Sequence, residues 1–143
     1  MEITAGIQRK IDSLNCCGNI DNLLSDDQLI NCDSRYRNIV GKIDEIINKL
    51  KENFEYCPVE DLRNLFVSVM QHIDKENKFM NLVGFPFSVY HCKHHMEIST
   101  LMADLCLSHE KHSDLNFDIN VIRELWMDHI HLHDRIFETF LSE

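Results

Sequence analysis

Between residues 33 and 141, apolar side chains return every three or four positions in four separate runs, the spacing that gathers them on one side of an α-helix. The first run, 33–53, carries Tyr36, Ile39, Val40, Ile43, Ile46, Ile47 and Leu50, with Asp33 suited to cap its start. The second, 58–83, carries Leu62, Leu65, Phe66, Val69, His72, Ile73, Glu76, Phe79, Met80 and Val83, and Pro58 fits its first turn, where a missing N–H costs nothing. A break at Gly84-Phe85-Pro86 leads into the third, 86–107, with His91, His94 or His95, Ile98, Leu101, Met102 and Leu105 in line. The polar stretch 108–116 reads as a loop. The fourth run, 118–141, turns Ile122, Leu125, Trp126, His129, His133, Ile136, Phe137 and Phe140 inward.

Short links between long amphipathic helices predict antiparallel neighbours, hence an all-α, up-down-up-down four-helix bundle over 33–143. Residues 1–32 are less regular and read as an N-terminal arm packed on the bundle, with one short helix over 2–14.

Composition narrows the class. The 143 residues, with 44% hydrophobic and 27% charged positions, describe one globular domain. A formal net charge of -10 argues against nucleic acid and anionic lipid as partners, since both require a basic face. No apolar stretch approaches the length of a membrane span, and the N-terminus lacks the basic flank and apolar run of a signal peptide. The expected location is therefore cytoplasmic, with Cys16, Cys17, Cys32, Cys57, Cys92 and Cys106 as reduced thiols.

The informative residues are the polar ones inside the apolar stripes. His72 and Glu76 stand four apart, so they share a helix face with Leu, Phe, Val and Ile; His91 and His95 repeat that relation on the next helix. His129 lies on the inner face of the last helix, with Asp134 five residues later, a spacing that on an α-helix does not point one way but brackets a metal pair if the carboxylate reaches across. A lone histidine on an apolar face is usually a hydrogen-bonded core residue. Three helices each bringing a pair suggest a shared purpose, because buried ionisable groups are costly unless paired or metal-bound. Imidazole with carboxylate favours iron, manganese or zinc, and mixed sets in bundle cores suit paired irons.

These three motifs, in this order, resemble the hemerythrin family, whose pattern is a His on the first helix, His-x3-Glu on the second, His-x3-His on the third and His-x4-Asp on the fourth. The resemblance covers about residues 28 to 141: His72-Ile-Asp-Lys-Glu76 with Met80 after it, Phe85-Pro86 before His91-Cys-Lys-His-His95, and His129-Ile-His-Leu-His-Asp134 with Phe137 after it. It implies a non-haem di-iron centre of two iron ions, oxo- or hydroxo-bridged. One iron would take His91, His95 and His129, the other His72, with Glu76 and Asp134 bridging. The implied partner is dioxygen or another small diatomic ligand, and the implied function is a carrier, store or sensor. Two departures matter. Tyr36 stands where the family has its first-helix His, as an iron ligand or a nearby hydrogen-bond donor, and Leu125-Trp126 reverses the family's order, bringing an indole to line the ligand pocket. A phenolate on iron would stabilise the ferric state, which supports the alternative of a di-iron enzyme acting on peroxide, nitric oxide or oxygen.

Rival readings stay open at this level. His94 competes with His95 and His133 with Asp134, while His131 faces solvent. A zinc site from Cys92, Cys106, His109 and His112 lacks a partner pair at finger-like spacing, and the Glu-x-x-His motif of ferritin-like di-iron proteins does not occur.

Overall fold

The computed structural model of the protein describes the backbone of residues 32–107 and 112–142, and the side chains of 37–107 and 115–142. The expected arm falls outside these residues, as do the side chain of Tyr36 and those of His109 and His112. Every regular element among the described residues is helical: α1 (Cys32–Glu52), α2 (Val59–Leu82), α3 (Ser88–Leu107), and a final run of α4 (His112–Asp128), a π-helical segment (His129–Asp134) and α5 (Arg135–Ser142). Helix α1 packs on α2 and α4, and α3 packs on α2 and α4, so each of these four touches two others.

The helices form where the apolar spacing places them. On α1, Ile39, Val40, Ile43, Ile46, Ile47 and Leu50 are all buried, and Lys49 and Lys51 complement the negative end of the helix. On α2, Glu60 and Asp61 sit in the first turn, and Leu62, Leu65, Val69, Ile73, Glu76, Phe79 and Met80 face inward. Between α1 and α2, Asn53 folds back on the Glu55 N–H, and the Tyr56 hydroxyl donates to Asp61. Burial and that acceptor together push the Tyr56 phenol well above its ordinary range. Arg123 on α4 ties to Asp44 on α1 through Nε–Oδ1 (2.6 Å) and Nη2–Oδ2 (3.4 Å).

Helix α2 stops at a glycine. Gly84 adopts φ 68°, the Phe85 N–H donates to the Met80 carbonyl (3.0 Å), and the Gly84 N–H donates to that of Asn81 (3.3 Å). This pair of bonds satisfies the last carbonyls of the helix and reverses the chain at a position where a Cβ is strained. Phe85 then turns into the core, 4.9 Å from Phe137 and 5.2 Å from Phe140 between ring centroids.

Three expectations need correction. The chain over 112–116 belongs to α4, not to a loop. Leu101, expected inside, is 40% exposed, because the inner face of α3 runs through His91, His95, Ile98, Met102 and Leu105. Ile136 is 42% exposed while Asp134, Phe137 and Leu141 are buried. The π winding explains this last shift: it takes up about one extra residue, setting the phase back by ~100°, so Asp134 and Leu141 join Phe137 inside while His133 and Ile136 turn outward.

Gly84→Ala should cost about 1–2 kcal/mol by forcing a Cβ into the left-handed region. Urea unfolding monitored by circular dichroism checks this; an unchanged midpoint would refute the role assigned to the turn.

Candidate metal centre

Three elements aim polar side chains at one point of the apolar interior. Helix α2 supplies Glu76, α3 supplies His91 and His95, and the π segment supplies His129 and Asp134; all five are at most 2% exposed. The three imidazoles form a near-equilateral triangle, with ring centroids 4.6 Å (His91–His95), 4.7 Å (His91–His129) and 4.5 Å (His95–His129) apart. The carboxylates close it. His91 Nε2 lies 2.8 Å from Glu76 Oε1 and 3.2 Å from Asp134 Oδ1, His95 Nε2 lies 3.1 Å from Glu76 Oε1, and His129 Nε2 lies 3.0 Å from Asp134 Oδ1. One ligand atom each from Glu76, His91, His95 and His129 fall within 4.8 Å of one another.

The π segment is what lets the His129–Asp134 pair work. Wider winding brings residues five apart onto one face, so the i, i+5 spacing that an α-helix would splay points both side chains inward. His133, the rival to Asp134, is accordingly only half-buried.

Not every close approach here is a hydrogen bond. Neither ring nitrogen of His91 and neither oxygen of Asp134 makes a hydrogen bond among the described residues, although their neighbours lie about 3 Å away. The tautomers agree with this. Asn77 Oδ1 can only accept, so the 2.8 Å contact puts the proton of His95 on Nδ1 and leaves Nε2 with its lone pair inward. That lone pair faces His129 Nε2 at 3.0 Å and Glu76 Oε1 at 3.1 Å. Lone pairs and carboxylates at such distances repel unless a ring N–H or a cation lies between them, and burying a carboxylate is costly in itself. Burial holds His129 well below its ordinary value, with His95, His91, His94 and His133 adding to the effect, so protonating that ring is a poor remedy. A metal ion is the better one: three imidazole nitrogens and two carboxylates match the preferences of iron, manganese or zinc.

His72 stands one turn before Glu76 on α2, half-buried, and is not among the converging ligand atoms. Trp126 is fully buried and meets His129 edge to face at 5.4 Å, so the indole borders the site as its position in the sequence suggested. Burial raises the Cys92 and Cys106 thiols; both are free, and Cys92 donates to Asn77 Oδ1 at 3.2 Å. Sequence reasoning passed over Asn77 and the part played by His94, whose Nδ1 lies 2.8 Å from His129 Nδ1. The signal was there in principle, since a ligating imidazole needs a partner for its outer nitrogen. A cavity of about 410 Å³ lies against His91 and His133, walled by Phe85, Phe87, Leu132 and Ile136. No helix among the described residues is long and apolar enough to cross a membrane. Comparison with family models, curated proteins and solved structures finds no match for this chain.

The depressed histidines make the metal-free fold acid-sensitive. His129, His94 and His133 are all lowered from 6.5, chiefly by burial, so the unfolded chain binds their protons more readily than the folded one. Their contribution is therefore fully present above about pH 6.5 and is lost as the pH falls below it. Thermal melts of chelator-treated protein from about pH 8 to about pH 5 should show a falling midpoint over the acid half of that range. A midpoint flat through it would contradict the assignment.

Proposed function

We propose that this chain is a metal-binding helical bundle of the hemerythrin kind, with an antiparallel up-down-up-down arrangement, whose buried centre takes iron and binds dioxygen or another small diatomic ligand. The observation that carries the proposal is the convergence of Glu76, His91, His95, His129 and Asp134, two carboxylates 2.8–3.2 Å from imidazole nitrogens in an apolar interior. On this reading His91, His95 and His129 would hold one iron and His72 would belong to a second, Glu76 and Asp134 would be shared between them, and Tyr36 would be a ligand of the second iron or a hydrogen-bond donor near it. Iron bound there would supply redox chemistry and open coordination positions. The protein's own part is to fix the donors and exclude bulk water: Phe85, Phe137 and Trp126 wall the imidazoles with rings. The apolar cavity beside His91 suits a small neutral ligand better than an ion.

A second reading rests on a specific observation. His72 and Asp134 both lie outside the group of four whose ligand atoms converge, so a single metal held by the three histidines and Glu76 fits the same geometry. Iron counting separates the two.

Anaerobic loading with ferrous ion followed by metal analysis should give about two irons per chain for the paired centre and about one for the single site. A coloured form that appears with dioxygen and disappears when it is withdrawn supports binding; steady turnover of peroxide or nitric oxide supports an enzyme instead. His129→Ala should weaken iron affinity by at least the roughly 10–100-fold that loss of a supporting partner costs. Protein that takes up no iron, or a variant that takes it up as well as the wild type, would remove the proposal.

A further inference from the structure

The inward nitrogens account for only half of each ring; something must hold the outer half. On the metal-binding reading above, on which this inference rests, we propose that His94 is a positioning residue for His129. Its Nδ1 accepts the Nδ1–H of His129 and so turns the His129 Nε2 lone pair toward the metal.

Three observations point to it. First, the two Nδ1 atoms are 2.8 Å apart, and the ring planes are parallel within 4° with centroids 5.0 Å apart. That is the spacing of two imidazoles meeting edge to edge through a nitrogen–nitrogen hydrogen bond in a common plane, with the lone pair aimed along the N–H. Second, the chain already does this once. Asn77 Oδ1 takes the Nδ1–H of His95 at 2.8 Å, the same nitrogen at the same distance, and there the direction is fixed because that oxygen cannot donate. Third, His94 is itself held. His133 stacks on it with centroids 4.3 Å apart and planes 20° from parallel, which keeps the His94 ring in the plane of its partner.

The opposite direction has a distinct consequence. A proton on His94 Nδ1 would leave His129 protonated at Nε2, facing His95 Nε2 and Asp134 Oδ1 and closing His129 to metal. The two supporting residues come from different helices, Asn77 from α2 and His94 from α3, yet each orients a ligand on a neighbouring element. Loss of either would loosen the centre without removing a ligand.

The test uses the whole chain loaded with cobalt(II), whose paramagnetism shifts the ring N–H protons of bound histidines away from all others. Wild-type protein should show a slowly exchanging His129 Nδ1–H signal. His94→Leu should lose that signal and bind cobalt about 10–100-fold more weakly in competition with a chelator. His94→Asn sets an acceptor oxygen near the position of the lost Nδ1 and should recover both the signal and most of the affinity. Circular dichroism melts of the metal-free variants check that the fold survives. Wild-type protein that takes up neither cobalt nor iron would sink the metal reading and this inference with it. Cobalt-loaded wild type whose His129 N–H exchanges like an exposed ring overturns the His94 role alone. So does His94→Leu that equals the wild type, or His94→Asn that is as weak as His94→Leu.

Discussion

Two carboxylates enclosed with three imidazoles, ring nitrogens within about 3 Å of carboxylate oxygens, set the terms for the whole molecule. An apolar interior penalises that arrangement heavily. Glu76 and Asp134 are both essentially inaccessible, so neither can borrow bulk water to spread its charge. The rest of the core is arranged around this demand. Phe79, Phe85 and Phe137 pack ring against ring beneath the site, and Trp126 closes its flank. The four principal helices contribute apolar side chains to one continuous core, so the charged pocket is hemmed in by groups that cannot solvate it. The fold thus concentrates two buried carboxylates and three imidazoles at one point, a donor set of the kind that can hold a metal ion.

Much of the helical layout could be read from spacing alone. The stripes on α1 and α2 are buried nearly as the periodicity places them, because those helices wind uniformly and carry hydrophobic residues on one face. The third helix was harder for the opposite reason. Its inner face holds His91 and His95, while Val89, Tyr90 and Met96 point outward, so hydrophobicity by itself misrepresents which side is inside. Leu101 was expected in the core on that account. The histidines themselves were the better guide.

The site was legible in its residue types and only partly in its geometry. Glu76, His91, His95 and His129 stand out from their positions within apolar stripes, Asp134 only from its place in the motif, and all five come together. The relation between His129 and Asp134 was not legible, because a one-dimensional pattern read at 3.6 residues per turn carries no sign of a local change in winding. The roles of Asn77 and His94 were hidden for another reason. Each sits one position from a ligand, on the flank of the helix rather than its inner stripe, and acts on a ring from a different helix. Sequence order shows the neighbour along the chain; it does not show the neighbour across the gap.

The wide turn at 129–134 also bears on how such motifs should be compared. A single residue added within a helix is absorbed there as a bulge, and everything downstream keeps the bearing it would have in a uniform helix one residue shorter. Two chains can therefore present the same pair of donors in the same place while spelling it His-x3-Asp in one and His-x4-Asp in the other. Alignment by letter count would score these as a mismatch, whereas superposition of the donor atoms would score them as identical.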